Sequence, residues 1–282
     1  AGVVEVGLLD EAEALDLFSL RLGWMPDTDA PDDQWALDLI AAVGRHALGL
    51  DVALGILRNH GPYRADWQTQ AKRLMAAVQG GDMAQLNLGE DDPGHDVVAV
   101  LAFSYHDLRD EESRRRFRAL AAFAPEAPFR TEIAAAVWGC TADNAYETLN
   151  HFANGALLER LGDGEWRQHS LLRSFALALL RQVGEQETTA AAHAAAYRDA
   201  MRTANDAQRY HKMLPAMPQL RHAFAWAVDN DLELALDIAA NCANLMQQFS
   251  LTREAGEWSE QLLAAAQAGR GAPDLLGRVY GH

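Results

Sequence analysis

The chain has 282 residues, with 24 Lys and Arg against 40 Asp and Glu, for a formal charge of −16. Such an acidic chain is a poor match for nucleic-acid phosphates, which need a basic face. Its two cysteines, Cys140 and Cys242, imply neither a disulfide framework nor a thiolate metal site. No stretch approaches the roughly 20 apolar residues of a membrane span, so a cytoplasmic protein with no membrane partner is expected. Alanine is abundant, β-branched residues are sparse, and apolar spacings near 3.6 recur, which predicts a mostly helical fold.

Val3 to Val6 reads as a residual strand, the last of something upstream. Asp10 with Glu13 makes a capping box, and the helix that follows turns Ala14, Leu15, Phe18 and Leu22 inward before stopping at Gly23. Further helices are expected over Trp35 to Leu48, Val52 to Asn59 and Arg64 to Val78, with Gly49-Leu50-Asp51 breaking the pattern and Asp51 a candidate N-cap. The last carries Trp67, Ala71, Leu74 and Val78 on one stripe. Residues 1–80 thus form a four-helix bundle, and 81–95 a Gly- and Pro-bearing linker.

The elements of residues 96–183, which end in the order helix, helix, β-hairpin, helix, predict a winged-helix domain. Val97 to Tyr105 is read as a helix capped by Asp96, and Glu111 to Phe123 as another with Phe117, Leu120 and Ala121 inward. Thr131 is expected to cap a short helix ending at Trp138. A helix from Thr141 to Asn154 follows, then two short apolar runs around Gly162-Asp163-Gly164, the composition of a hairpin turn. A last helix runs from Leu171 to Leu180. From 184 to 282, helices near 187–204, 207–228, 230–248 and 251–269, with a start near Pro273, suggest the beginning of a TPR-like superhelix.

These pieces together resemble a known family. Leu9 to Phe18 is similar to the "L-x-x-x-E-A-x-x-L-F" entry of the first helical domain in STAND-class ATPases of NB-ARC type, and Leu48-Gly49-Leu50-Asp51-Val52-Ala53-Leu54 to their "G-L-P-L-A-L". Ser104-Tyr105-His106-Asp107-Leu108 resembles "S-Y-x-x-L", and Phe117 to Phe123 resembles "F-x-x-L-A-x-F". Arg167-Gln168-His169-Ser170-Leu171-Leu172-Arg173 resembles the winged-helix "M-H-D-L-x-R", with Gln168 and Ser170 closer to the bacterial branch. Met217 to Ala266 looks like the first helices of a bacterial sensor arm.

The resemblance implies a nucleotide-dependent signal-transduction switch. His169 would contact the β-phosphate of ADP, with Gly49, Leu50 and Asp51 near the nucleotide. ADP or ATP would be a cofactor of the parent protein, not of this piece. The partners implied are an upstream P-loop domain, a protein or small-molecule inducer on the repeats, and further copies of the chain on activation. No G-x-x-x-x-G-K-[ST] occurs, so hydrolysis by this piece alone is not expected. Asp51 also stands where the family has proline.

Two plainer readings stay open. His169 is also what a simple helix cap looks like, and the whole chain could be a helical interaction scaffold without nucleotide function. The basic run Arg114-Arg115-Arg116 and Arg118 follows Glu111 and Glu112 at pairing distance and reads as a solvated, ion-paired face. The groove-reading candidate, Thr141 to Asn154, holds Asp143 and Glu147 but no Lys or Arg, which excludes DNA binding by it. The ten histidines show no metal-ligand spacing. Trp35, Trp67, Trp138, Trp226 and Trp258 are assigned to the core, and Trp166 to the wing.

Overall fold

The computed structural model describes residues 8–79 and 95–268. Among these, thirteen α-helices, three 3₁₀ segments and one small sheet of three short strands account for the regular structure. The expected strand at Val3 to Val6, nearly all of the 81–95 linker, the Asp96 cap and the start near Pro273 lie outside the described residues or side chains. Two compact units emerge, one of Ala1–Arg115 with Thr148–Glu159, the other of Arg116–Glu147 with Arg160–His282.

In the first unit, α1 (Glu11–Leu22) is closed at both ends by local chemistry. Asp10 accepts the Glu13 amide at 2.8 Å while the Glu13 carboxylate accepts the Asp10 amide at 2.9 Å, and Gly23 ends it at φ +66°, where a Cβ would be strained. Ala14 and Phe18 are buried; Leu15 and Leu22 are only partly so. After a 3₁₀ turn at Pro31–Asp33 come α2 (Gln34–Ala42), α3 (Ala47–Asn59), α4 (Arg64–Gln79) and α5 (His95–His106). The α3 helix packs on α1, α4 and α5, and α2 packs on α4. Trp24 stacks on Trp35 at 5.5 Å, with Phe18 edge-on to both. Trp67, Ala71, Leu74 and Val78 are buried as expected.

Two boundaries differ from the sequence reading. The second helix stops at Ala42 instead of Leu48, because Gly44 and Arg45 both take positive φ, 62° and 55°. The third then begins at Ala47, with the His46 ring accepting the Gly49 amide at the N-cap. Gly49-Leu50-Asp51 is therefore inside α3, not a break, and Asp51 is not a cap.

Helix α6 (Glu111–Ala119) runs from the first unit into the second and ends in a 3₁₀ turn, Leu120–Ala122. Phe117, Leu120 and Ala121 are buried. Arg115 pairs with Glu112 at 2.7 Å, as the ion-paired reading requires. Arg118 departs from it: it is buried against Glu185 at 3.2 Å.

In the second unit, β1 (Phe129–Arg130) leads into α7 (Thr131–Trp138), and α8 (Ala142–Asn154) begins there. A hairpin of β2 (Glu159–Gly162) and β3 (Glu165–Arg167) precedes α9 (Ser170–Gln182). The strand order is β1-β3-β2, with Phe129 opposite Trp166. The turn residues Gly162, Asp163 and Gly164 all take positive φ, as their composition demands. Strand β1 was not foreseen; two residues carry no periodicity.

Thr131 is not the cap of α7. Arg130 holds that position without a capping bond from its side chain, and the Thr131 hydroxyl instead donates to the Gly164 carbonyl and accepts Trp166 Nε1 at 2.9 Å. That pairing satisfies the only polar atom of a fully buried indole.

The remaining helices are α10 (Gln186–Asp206), α11 (Met217–Asn230), α12 (Leu232–Gln248) and α13 (Thr252–Gln267), each packed on its successor, with α10 also on α12 and α11 on α13. The expected helix at 207–228 is split: Tyr210–Ala216 is a 3₁₀ segment containing Pro215, and Pro218 occupies the first turn of α11. Trp258 stacks on Phe224 at 3.9 Å, whereas Trp226 is only half-buried.

Candidate functional site

His169 lies where β3 gives way to α9. Its extended backbone (φ −63°, ψ 144°) makes it the N-cap, and its Nδ1 accepts the Leu171 amide at 3.2 Å. The ring is exposed. An accepting Nδ1 carries the lone pair, so the ring proton resides on Nε2, free to donate outward. The adjacent amide of Ser170 is taken by the Glu126 carboxylate.

Gln168, one residue earlier, is buried, and neither amide atom has a hydrogen-bond partner among the described residues. A buried amide left this way costs about 1–3 kcal/mol. Gln168→Met should therefore raise the denaturation midpoint, by about 1 kcal/mol in stability; an unchanged or lower midpoint in urea would mean the amide is satisfied in solution.

Gly49, Leu50 and Asp51 belong to the first unit and His169 to the second. Leu50 is fully buried, Gly49 is buried, and the Asp51 carboxylate is engaged by the Arg21 guanidinium through Nε and Nη2. All three serve the packing of α3 on its neighbours.

Sequence reasoning missed a polar cleft of about 240 Å³ in the first unit, whose walls include Asn59, His60, Asp107, Arg109 and His151. His60 Nε2 meets Asp107 Oδ2 at 2.7 Å across it. Burial, reinforced by Arg109, pushes His151 below the usual histidine range. A second cleft, about 590 Å³, opens between α11 and α13 over the Phe224–Trp258 stack, with Arg221 and Glu254 paired at its wall at 2.6 Å. The residues of the first cleft lie far apart in sequence, and no spacing rule joins them.

Also unforeseen is a buried polar node in the second unit. Gln219 on α11 is fully buried, accepts the Ala124 amide at 2.8 Å and donates to the carbonyls of Ala127 and Pro128 at 3.2 and 3.3 Å. His193 on α10 donates to its carbonyl oxygen at 3.0 Å and is walled by Phe123 and Tyr197. Burial drives His193 down to about 3. The available signal was a lone glutamine among apolar helix positions.

Among the described residues, no group of His, Cys, Asp and Glu could hold a metal ion, and no helix is long and apolar enough to cross a membrane. Burial pushes the Cys242 thiol up to about 12, which removes it as a nucleophile at neutral pH. No family model matches the chain, and no curated protein matches it.

Proposed function

We propose that the chain is the regulatory part of a STAND-type signal-transduction ATPase of the NB-ARC kind. In this reading the first helices are the bundle beside the nucleotide domain, α7 to α9 with the hairpin are a winged helix, and α10 to α13 open a TPR-like sensor arm. The observation that carries it is His169. It caps α9 with Nδ1 and keeps an exposed Nε2–H at a helix N-terminus, where a phosphate oxygen is well received.

ADP held between an upstream P-loop domain and His169 would keep the closed state. Inducer binding on the arm and exchange for ATP would release the protein to assemble with further copies. Loss of a charge-assisted contact costs roughly 1.5–3 kcal/mol, enough to shift such an equilibrium about tenfold to a hundredfold.

In the full-length protein, His169→Ala should weaken ADP retention by about that factor and raise basal activity. Retention equal to the parent's in an ADP titration discards the role.

The second reading is a helical interaction scaffold without nucleotide function. One observation favours it: the groups of Gly49-Leu50-Asp51 are spent on the fold, Asp51 through its pair with Arg21. A G-x-x-x-x-G-K-[ST] loop encoded about 150–200 residues upstream, the length of one domain, decides for the switch.

A further inference from the structure

Phe123 to Pro128 is a short segment of the second unit fastened from two sides. Toward α9, the Glu126 carboxylate accepts the Ser170 amide and Arg173 Nε donates to the Phe123 carbonyl at 2.7 Å. Toward α10 and α11, Gln219 takes the Ala124 amide and reaches the Ala127 and Pro128 carbonyls, while His193 seats on the same glutamine. Glu126 is exposed and holds φ +56°, a left-handed conformation uncommon for a residue other than glycine.

We propose that this segment is a coupling strap: the seating of α10 and α11 and the arrangement of the amides at the start of α9 are set together through it, so that a ligand shifting one shifts the other. A buried glutamine amide suits the task because it does not slide. Turned away, Gln219 would strand the Ala124 amide and the Ala127 carbonyl together, which leaves two discrete arrangements and little between them. An element with two discrete arrangements is one physical means of coupling distant positions. The strap's value for signalling rests on the reading of His169 as a phosphate contact; the mechanical linkage does not.

The test is amide hydrogen exchange on the whole chain without nucleotide, for the parent, Gln219→Leu and Glu126→Gln. Gln219→Leu should raise exchange at Ser170, as well as at Ala124, by about tenfold, the loss of one hydrogen bond's worth of protection. Because linkage is reciprocal, Glu126→Gln should raise exchange at Ala124. Parent-like protection at Ser170 in Gln219→Leu, with Ala124 alone affected, overturns the strap. So does an unaltered Ala124 in Glu126→Gln, and that variant, at an exposed position, decides the matter if Gln219→Leu fails to fold. With no nucleotide present, a negative result in the ADP titration leaves this outcome untouched.

Discussion

Gly55→Ala should destabilise the protein by about 2 kcal/mol or more, although alanine is the better helix former by about 1 kcal/mol. The reason is a close approach inside the first unit. A Cβ built on Gly55, in the middle of α3, would lie 2.5 Å from the carbonyl carbon of Gly155, 2.6 Å from its oxygen and 2.9 Å from its Cα. These are backbone atoms and cannot rotate aside. The two segments must separate, and Leu54, Ile56 and Leu57, all buried beside Gly55, lose contact when they do.

The Arg58 guanidinium also donates to the Asn154 carbonyl, so separation strains that bond as well. Gly256 is the internal control. It is an exposed glycine of α13 with nothing among the described residues within 4 Å of its would-be Cβ, and Gly256→Ala should stabilise by roughly 0.5–1 kcal/mol. Urea denaturation of both variants checks the pair. A midpoint for Gly55→Ala at or above the parent's would show that α3 does not press on Gly155 in solution.

Acid should unfold the protein from an unusually mild pH, and His193 is the main reason. Buried in the second unit, it titrates near 3, far below the 6.5 or so expected in an unfolded chain. Between those values the unfolded chain binds a proton that the folded chain excludes. The stability due to the neutral ring is thus complete above about pH 6.5 and is lost as pH falls toward 3. At pH 5 the loss is about 2 kcal/mol from this group alone, at ~1.4 kcal/mol per pH unit.

His222 and His151 are lowered too, chiefly by burial, and contribute with the same sign. Carboxylates with ordinary affinities titrate mostly below this window, so the drop from pH 7 to 5 reports histidines. Thermal melts should show a falling midpoint across it. His193→Gln should start lower at pH 7, for lack of the seated ring, yet lose about 2 kcal/mol less on acidification. A slope identical to the parent's would mean that His193 is reached by water and protonated in the folded state.

The legible parts were those whose cause lies within a few residues. Asp10 and Glu13 satisfy each other's amides across a single turn, and Gly162-Asp163-Gly164 needs only positive φ. The stripe of Trp67, Ala71, Leu74 and Val78 is one face of one helix. His169 as a cap is equally local. The errors fall where two local signals compete or where a partner is distant. Gly49 looked like a breaker, but Gly44 and Arg45 supplied the turn, and a glycine inside a buried helix is tolerated. Thr131 looked like a cap, but the indole of Trp166 claimed its hydroxyl. Gly155 carries no local signal at all: its backbone lies against Gly55 of α3, and a Cβ on it would meet Asn59 at 3.2 Å.

Composition and periodicity alone therefore determined a mostly helical chain, the ends of its cleanest helices, the hairpin turn and the placement of a histidine at the start of α9. Each follows from hydrogen bonds and side-chain spacing within one or two turns of backbone. Only the tertiary structure decided that Gln219 and His193 meet at Phe123 to Pro128, that Asp51 is occupied by Arg21, and that His60 faces Asp107 across a cleft. Those pairings depend on how helices are brought side by side, and burial converts ordinary polar side chains into fixed partners only after that packing is complete.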